Sequence, residues 1–139
     1  MPVKNNPLNN MIVLDSWAII AYLQDEPAGK QIGDWIADVI EAGGDVLVSV
    51  VNLGEVWYIF AREQSSQIAD SVVMDLLQLG VQFIEVDWTL AKIAATFKTR
   101  GRISYADTFA AALAHHRQCD LVTGDAEFQI LATDISIRW

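Results

Sequence analysis

Short uncharged runs alternate with longer stretches of helical periodicity along this chain, and this alternation constrains its fold more than any other feature. Residues 46–50 are rich in valine and carry no charge, which is typical of a buried strand. Just before them, residues 30–42 place Ile, Val and Trp in the i, i+3, i+4, i+7 stripe of a core-facing helix. Since helices separate the strands, the sequence predicts an α/β fold with a mostly parallel sheet covered on both faces.

The same pattern continues to the end of the chain. The predicted strands cover residues 11–14, 46–50, 81–86, 121–123 and 135–138. The predicted helices cover residues 16–23, 30–42, 52–64, 66–79, 88–99 and 104–117. Residues 1–10 are polar, rich in asparagine and hold two of the 3 prolines. We therefore expect a flexible tail over 1–10, followed by one domain over 11–139; Met11 is then a second candidate start of the native chain.

Composition excludes several classes of protein. The 139 residues suit one domain, and no apolar run approaches the roughly 20 residues of a membrane-spanning helix. The single cysteine excludes an internal disulfide, and no basic segment precedes an apolar run at the N-terminus, so we expect a cytoplasmic protein. The net charge of -9 argues against a protein that holds nucleic acid by its overall field.

One stretch is nevertheless locally basic. No acid lies between Asp87 and Asp107, and this stretch contains Lys98, Arg100 and Arg102. These three residues are candidate contacts for the phosphates of RNA. The alternative interpretation is an ordinary solvated helix end followed by a loop.

Four carboxylates are predicted to meet at one edge of the sheet. Asp15 and Asp125 each follow a strand, whereas Glu55 and Asp107 lie in the first turns of helices. The carboxyl ends of parallel strands and the N-termini of the following helices share one edge, where such sheets bind ligands. No packing argument requires four acids there.

Helix capping is the alternative explanation for these acids. Residues 104–107 read as a capping box with Asp107 at its third helical position, and Asn52 to Glu55 is a similar arrangement. Asp15 and Asp125 could likewise cap the helices that follow them. Asp87, which precedes a predicted helix, is sufficiently explained as an N-cap and is left out of the set.

Clustered carboxylates imply a cation, because they repel one another unless a positive charge lies among them. Ligands that are all oxygen select Mg²⁺ or Mn²⁺ over zinc. Such an ion can activate a water and neutralise charge on a phosphate. Together with the neighbouring bases, the cluster predicts hydrolysis of phosphodiester bonds.

Four motifs carry a family resemblance. They are IVLDS (12–16), SVVNLGE (49–55), YAD (105–107) with AA at 111–112, and LVTGDAEF (121–128). In this order and spacing they resemble the PIN-domain ribonucleases, most of all the toxin (VapC-like) branch of type II toxin–antitoxin systems. The resemblance extends from Met11 to the end of the chain.

The resemblance implies a fold and a set of roles. It implies a three-layer α/β/α sandwich with a five-stranded parallel sheet, usually as a homodimer. It assigns catalysis and Mg²⁺ or Mn²⁺ binding to Asp15, Glu55, Asp107 and Asp125. Ser16 and Thr123 match hydroxyl positions that support these acids, and Glu127 matches a further acid.

The implied activity is endoribonuclease cleavage of RNA, restrained by an antitoxin with a basic binding segment. Trp17 departs from the pattern, because this position is often small or polar, and it would narrow the rim of the site.

Other functions remain open from the sequence. A non-catalytic PIN-like module that binds RNA or a partner would share the fold, although all four acids are present. An aspartyl phosphotransferase would have an acid two residues after the first aspartate, where this chain has Trp17. A receiver domain would have a late lysine, whereas the last lysine here is Lys98.

Overall fold

A computed structural model describes residues 10–139. The strands are β1 (Met11–Leu14), β2 (Asp45–Ser49), β3 (Gln82–Ile84), β4 (Asp120–Val122) and β5 (Ile137–Arg138). The helices are α1 (Ser16–Leu23), α2 (Pro27–Glu41), α3 (Val50–Glu63), α4 (Ser66–Leu79), α5 (Trp88–Lys98) and α6 (Tyr105–Arg117), with a 3₁₀ helix over Ala126–Leu131. The strands form one sheet in the order β3-β2-β1-β4-β5, and every pairing is parallel.

Side chains alternate between the two faces of the sheet and build one core on each. Ile12 and Leu14 of β1 pack with α1 to α4, whereas Val13 packs with α5, α6 and the 3₁₀ helix. This alternation follows from the two-residue period of a strand. The three-layer α/β/α fold with a five-stranded parallel sheet, predicted from the sequence, is confirmed.

The predicted element boundaries need several corrections. The third helix begins at Val50 rather than residue 52, because Ser49 is its N-cap and accepts a hydrogen bond from the N–H of Asn52. The third strand pairs only over Gln82–Ile84, which is shorter than the predicted 81–86. The 3₁₀ helix was not predicted, since its six residues are too few to show a helical period. Apart from Asn10, the predicted tail over 1–10 lies outside the described residues.

The strand order places a topological switch point at the centre of the sheet. From β1 the chain moves outward to β2 and β3, and it later returns to the other side of β1 to form β4 and β5. Connections therefore leave the carboxyl ends of β1 and β4 in opposite directions, which opens a crevice between them. Asp15 and Asp125 come directly after these two strands. Within residues 10–139, no helix has the length and apolar character that crossing a membrane requires.

Candidate functional site: a carboxylate cluster at the switch point

Asp15 lies at the bottom of the crevice. Its side chain caps α1 by accepting a hydrogen bond from the N–H of Ala18 at 2.8 Å. The other carboxylate oxygen accepts a hydrogen bond of 2.5 Å from the Thr123 hydroxyl. Only 1% of Asp15 is exposed, so both bonds are shielded from water. Its position is therefore held from its own helix and from the end of β4.

Thr123 also positions the second aspartate. Its hydroxyl oxygen accepts a hydrogen bond from the N–H of Asp125 at 3.0 Å. The Asp125 carboxylate in turn caps the 3₁₀ helix by accepting from the N–H of Glu127 at 2.9 Å. One buried hydroxyl thus links two acids that are 110 positions apart in the sequence. The supporting role that the family resemblance implies for Thr123 stays a prediction.

Asp107 joins the cluster from the first turn of α6. Ser104 caps this helix by accepting from the Asp107 N–H, and Asp107 itself is 9% exposed. Carboxylate oxygens of Asp107, Asp125 and Glu127 all lie within 4.8 Å of one another. Glu127, which the sequence motif matched to a further acid, therefore lies in one group with Asp107 and Asp125.

Glu55 approaches from the second turn of α3, where the Ser16 hydroxyl donates a hydrogen bond to its Oε1. Ser16 also contacts the carbonyl of Asn52 at 3.2 Å. Ser16 therefore lies between α1 and α3, and the supporting role that the resemblance implies for it stays a prediction.

Asn52 is a contributor that the sequence did not identify. It is completely buried, and its side-chain amide donates to the carbonyl of Ala106 at 2.9 Å. Its Oδ1 accepts from the Ser49 hydroxyl at 2.6 Å. Asn52 therefore fastens the turn before Glu55 to the residue before Asp107. Its burial, which makes such an amide require partners, exists only in the folded protein; the sequence offered only an asparagine three residues before Glu55.

The structure also decides between capping and clustering. Asp15 and Asp125 are helix caps and members of the cluster at once, so the two interpretations are not exclusive for them. The predicted capping arrangement from Asn52 to Glu55 is wrong, because Ser49 caps α3. At Asp107 the cap comes from Ser104, to which the Asp107 backbone N–H donates. Asp87 is the N-cap of α5, as predicted.

The cluster carries negative charge that its surroundings do not neutralise. Burial raises the pKa of Asp15 to about 7, and the charges of Asp107 and Asp125 add to the effect. Burial also raises the pKa of Asp107 to about 6, with contributions from Asp125, Glu55 and Glu127. The salt bridges found within residues 10–139 are Arg100–Asp134 and Arg138–Asp120. Neither includes an acid of the cluster.

The three candidate phosphate contacts, Lys98, Arg100 and Arg102, do not share one environment. Arg100 forms its salt bridge with Asp134, and its guanidinium lies 5.7 Å from the centroid of the Phe97 ring. The Asp134 carbonyl is 3.4 Å from a ring nitrogen of His115 on α6. His115 is eight residues after Asp107, so this salt bridge lies about 12 Å along α6 from the carboxylate cluster. Arg100 is thus engaged in packing. In the described part of the chain, Lys98 and Arg102 form no salt bridge.

The donor set fits a hard divalent cation. All the groups that converge are carboxylates, and none is a histidine or cysteine, which is the set that Mg²⁺ and Mn²⁺ prefer. Burial and neighbouring carboxylates raise the pKa values of Asp15 and Asp107, and a bound cation would oppose this rise because it favours the ionised forms. A divalent ion would therefore relieve the repulsion within this cluster.

Comparisons with known proteins agree with this arrangement. A family model for the PIN domain matches residues 12–133. No curated protein sequence matches the chain significantly.

Solved structures match over nearly the whole chain. A chain of VapBC2 from Rickettsia felis, bound to a promoter DNA fragment, has a TM-score of 0.70 at 14% identity, covering 93% of this chain and 98% of that one. VapC20 of Mycobacterium tuberculosis, a toxin that cleaves the sarcin–ricin loop, has a TM-score of 0.66 at 18% identity, with coverages of 89% and 95%. FitAcB of Neisseria gonorrhoeae has a TM-score of 0.68 at 22% identity, with coverages of 91% and 96%. At these identities, the similarity establishes a shared fold.

Proposed function

The chain belongs to the PIN domain family, and from this premise we propose that it is a metal-dependent endoribonuclease that acts as the toxin of a toxin–antitoxin pair. The observation that carries the proposal is the convergence of carboxylates from four separate segments of the chain on the switch point of the sheet. Helix capping accounts for Asp15 and Asp125 one at a time, but it does not account for the approach of Glu55 and Asp107. Acids gathered without a cationic partner are costly unless a ligand compensates them.

The site that we propose consists of Asp15, Glu55, Asp107 and Asp125, with Glu127 at its exposed edge. These carboxylates would hold Mg²⁺ or Mn²⁺. When bound, such an ion lowers the pKa of a water and offsets the negative charge that develops on the phosphate during in-line attack.

The chain's own residues would prepare this chemistry by fixing the acids. Thr123 orients one oxygen of Asp15 and the backbone of Asp125, so neither acid has to reorganise when substrate arrives. Ser16 engages Oε1 of Glu55. This contact would fix the orientation of the Glu55 carboxylate beside the other acids before substrate arrives.

The proposed partners follow from charge and from the matched structures. The matched structures include a toxin–antitoxin complex from Klebsiella pneumoniae and VapBC-5 of Mycobacterium tuberculosis, a member of the VapBC family of toxin–antitoxin systems. We propose that this chain likewise binds an antitoxin, and that a basic segment of the antitoxin contacts the acidic crevice. With a net charge of -9, the chain favours such a partner by electrostatic complementarity. We also propose that the protein is a cytoplasmic homodimer.

The test is cleavage of RNA by the purified protein in Mg²⁺ or Mn²⁺ and in EDTA. We expect cleavage only with a divalent ion, and loss of at least 100-fold in rate for Asp15→Asn, since removing one preorganised electrostatic group costs about that much. Asp38→Asn is the matched control, because Asp38 is an exposed acid on α2 outside the cluster, and it should retain the full rate.

Two outcomes would contradict the proposal. Normal cleavage by Asp15→Asn would remove the carboxylate cluster from the reaction. Absence of any cleavage by the folded wild-type protein, with tight binding of RNA or of the antitoxin, would favour the non-catalytic module instead.

A further inference from the structure

A small apolar cavity lies beside the carboxylate cluster. It has a volume of about 190 Å³ and is enclosed between α1, α2 and the carboxyl ends of β4 and β5. Three tryptophans, Trp17, Trp35 and Trp139, form much of its wall. Its polar lining comes from Gln31 and Thr123, and no charged residue contributes to it.

The cavity shares structure with the proposed active site. Thr123 lines the cavity with part of its surface, and its hydroxyl donates to Asp15. Trp17 lies against Gly124, which separates Thr123 from Asp125. A Cβ at Gly124 would come within 2.3 Å of the Trp17 ring, so the indole reaches this position only because residue 124 has no side chain. The cavity therefore begins one residue from the acids.

The wall is accessible and held in place. Trp17 is 37% exposed and Trp139 is 52% exposed, so the cavity opens to solvent at its rim. Trp35 lies deeper, with the guanidinium of Arg138 5.2 Å from its ring centroid. Arg138 is itself fixed by a 2.7 Å hydrogen bond to Asp120. The inner wall at Trp35 thus presents aromatic surface that needs little ordering when a ligand arrives.

We propose that this cavity holds the nucleobase next to the scissile phosphate and gives the enzyme its base preference. This inference rests on the proposed function, since it assumes that a phosphodiester of RNA lies at the carboxylates. Tryptophan rings stack on bases, and the amide of Gln31 offers both a donor and an acceptor to the edge of a base.

Charge favours a base over other parts of the ligand. A phosphate in the cavity would be repelled by the neighbouring carboxylates of Asp15 and Asp125 unless a cation lay between them. A basic side chain of a protein partner would pair with the carboxylates rather than enter an uncharged cavity. An uncharged aromatic ring is the part of an RNA that matches tryptophan walls with one amide.

The experiment measures base preference around the cleavage site. Wild-type protein, Trp17→Ala and Trp139→Ala are given degenerate RNA, and then the preferred RNA with each base in turn replaced by an abasic residue. The matched control is Trp88→Ala, because Trp88 is 74% exposed and lies on α5, which packs on the opposite face of the sheet.

We expect the wild-type protein and Trp88→Ala to show a base preference at one position adjoining the cut, and to lose about fivefold to 100-fold in kcat/KM when that base is removed. Trp17→Ala should cleave the intact and the abasic RNA equally slowly, and it should have lost the preference. Trp139→Ala should lose part of the base preference. Because Trp139 lines the cavity from the end of β5, this result would show that the loss in Trp17→Ala does not come from a disturbed Asp125.

Other results would overturn the inference. If Trp17→Ala keeps both the preference and the abasic effect, the cavity holds no base, while the nuclease function stands. If Trp17→Ala keeps the base preference but binds the antitoxin more weakly, the cavity serves a protein side chain. If the wild-type protein cleaves no RNA, the proposed function fails. The cavity is then tested by quenching of tryptophan fluorescence with nucleoside monophosphates, where equal quenching in wild type and Trp17→Ala would also refute it.

Discussion

Replacing Asp107 by asparagine should stabilise the metal-free protein, although it removes a residue of the proposed active site. In the absence of a cation, Asp107 is held beside Asp125 and Glu127 with 9% exposure. Asparagine has nearly the same shape but no charge. The substitution therefore relieves repulsion and burial of charge while it leaves the packing intact.

The magnitude follows from the pKa of this carboxyl. Its rise from 3.8 to about 6 corresponds to about 3 kcal/mol of destabilisation in the ionised form, at about 1.4 kcal/mol per pKa unit. The variant loses a favourable charge in the first turn of α6, which is worth about 0.3–1 kcal/mol. We expect a net gain of about 2 kcal/mol, or a rise in Tm on the order of 5 °C for a chain of this length.

The gain should depend on pH in a defined direction. Below pH 3.8 the carboxyl is protonated in both the folded and the unfolded states, so its raised pKa has no effect on stability. Between pH 3.8 and about 6 the unfolded state releases the proton first, and the folded protein loses stability as the pH rises. Above about pH 6 the loss is complete. The difference in Tm between Asp107→Asn and wild type should therefore increase from pH 4 to pH 7.

The assay is thermal unfolding in EDTA and in Mg²⁺, with Asp87→Asn as a control. Asp87 caps α5 through the N–H of Leu90, and asparagine caps as well as aspartate, so this control should change stability by less than about 0.5 kcal/mol. Mg²⁺ should raise the Tm of wild type and of the control by mass action, but raise that of Asp107→Asn much less. The reasoning is refuted if Asp107→Asn melts lower than wild type in EDTA and still responds fully to Mg²⁺.

Three further predictions concern Asn52, the Arg100–Arg102 pair and Cys119. Asn52→Leu should lower the free energy of unfolding by about 1–2 kcal/mol, because it leaves the partly buried Ala106 carbonyl without its donor; urea denaturation measures this, and an unchanged midpoint would contradict it. In an Arg100→Gln/Arg102→Gln double variant, the slope of log K against log salt for single-stranded RNA should fall by about 0.7, since Arg100 is engaged with Asp134; a fall of about 1.4 would show that both bind phosphate. Burial raises the pKa of Cys119 to about 12, so iodoacetamide at pH 8 should modify it only in urea, and modification of the folded protein would disprove its burial.

Local patterns in the sequence were sufficient for the five strands, the six α-helices and the fold class. Helix α4 was predicted with its observed bounds, because apolar residues recur at helical spacing along its whole length and Ser65 and Gly80 flank its two ends. The valine-rich run of β2 was likewise recognised as buried, since nothing in it favours contact with water. Such features depend on neighbours within a few residues, which is the range that periodicity and capping report.

The sequence also predicted which acids would share one edge, because Asp15 and Asp125 follow strands and a parallel sheet aligns strand ends. It did not reveal how these acids are held. The Thr123 hydroxyl donates to Asp15 across 108 positions, and the Asn52 amide donates to the Ala106 carbonyl across 54. Neither pairing can be read from neighbours along the chain.

Tertiary structure alone decided the electrostatics of the site and the fate of the bases. The pKa of Asp15 rises to about 7 chiefly because the fold buries this carboxyl. That burial arises only when helices and strands from distant parts of the chain pack around it. Arg100 appeared in sequence as part of a free basic stretch, yet the fold pairs it with Asp134, 34 positions later. Residue type and spacing determine what a segment can form, whereas the dielectric and the partners around a charge exist only after the segments have packed.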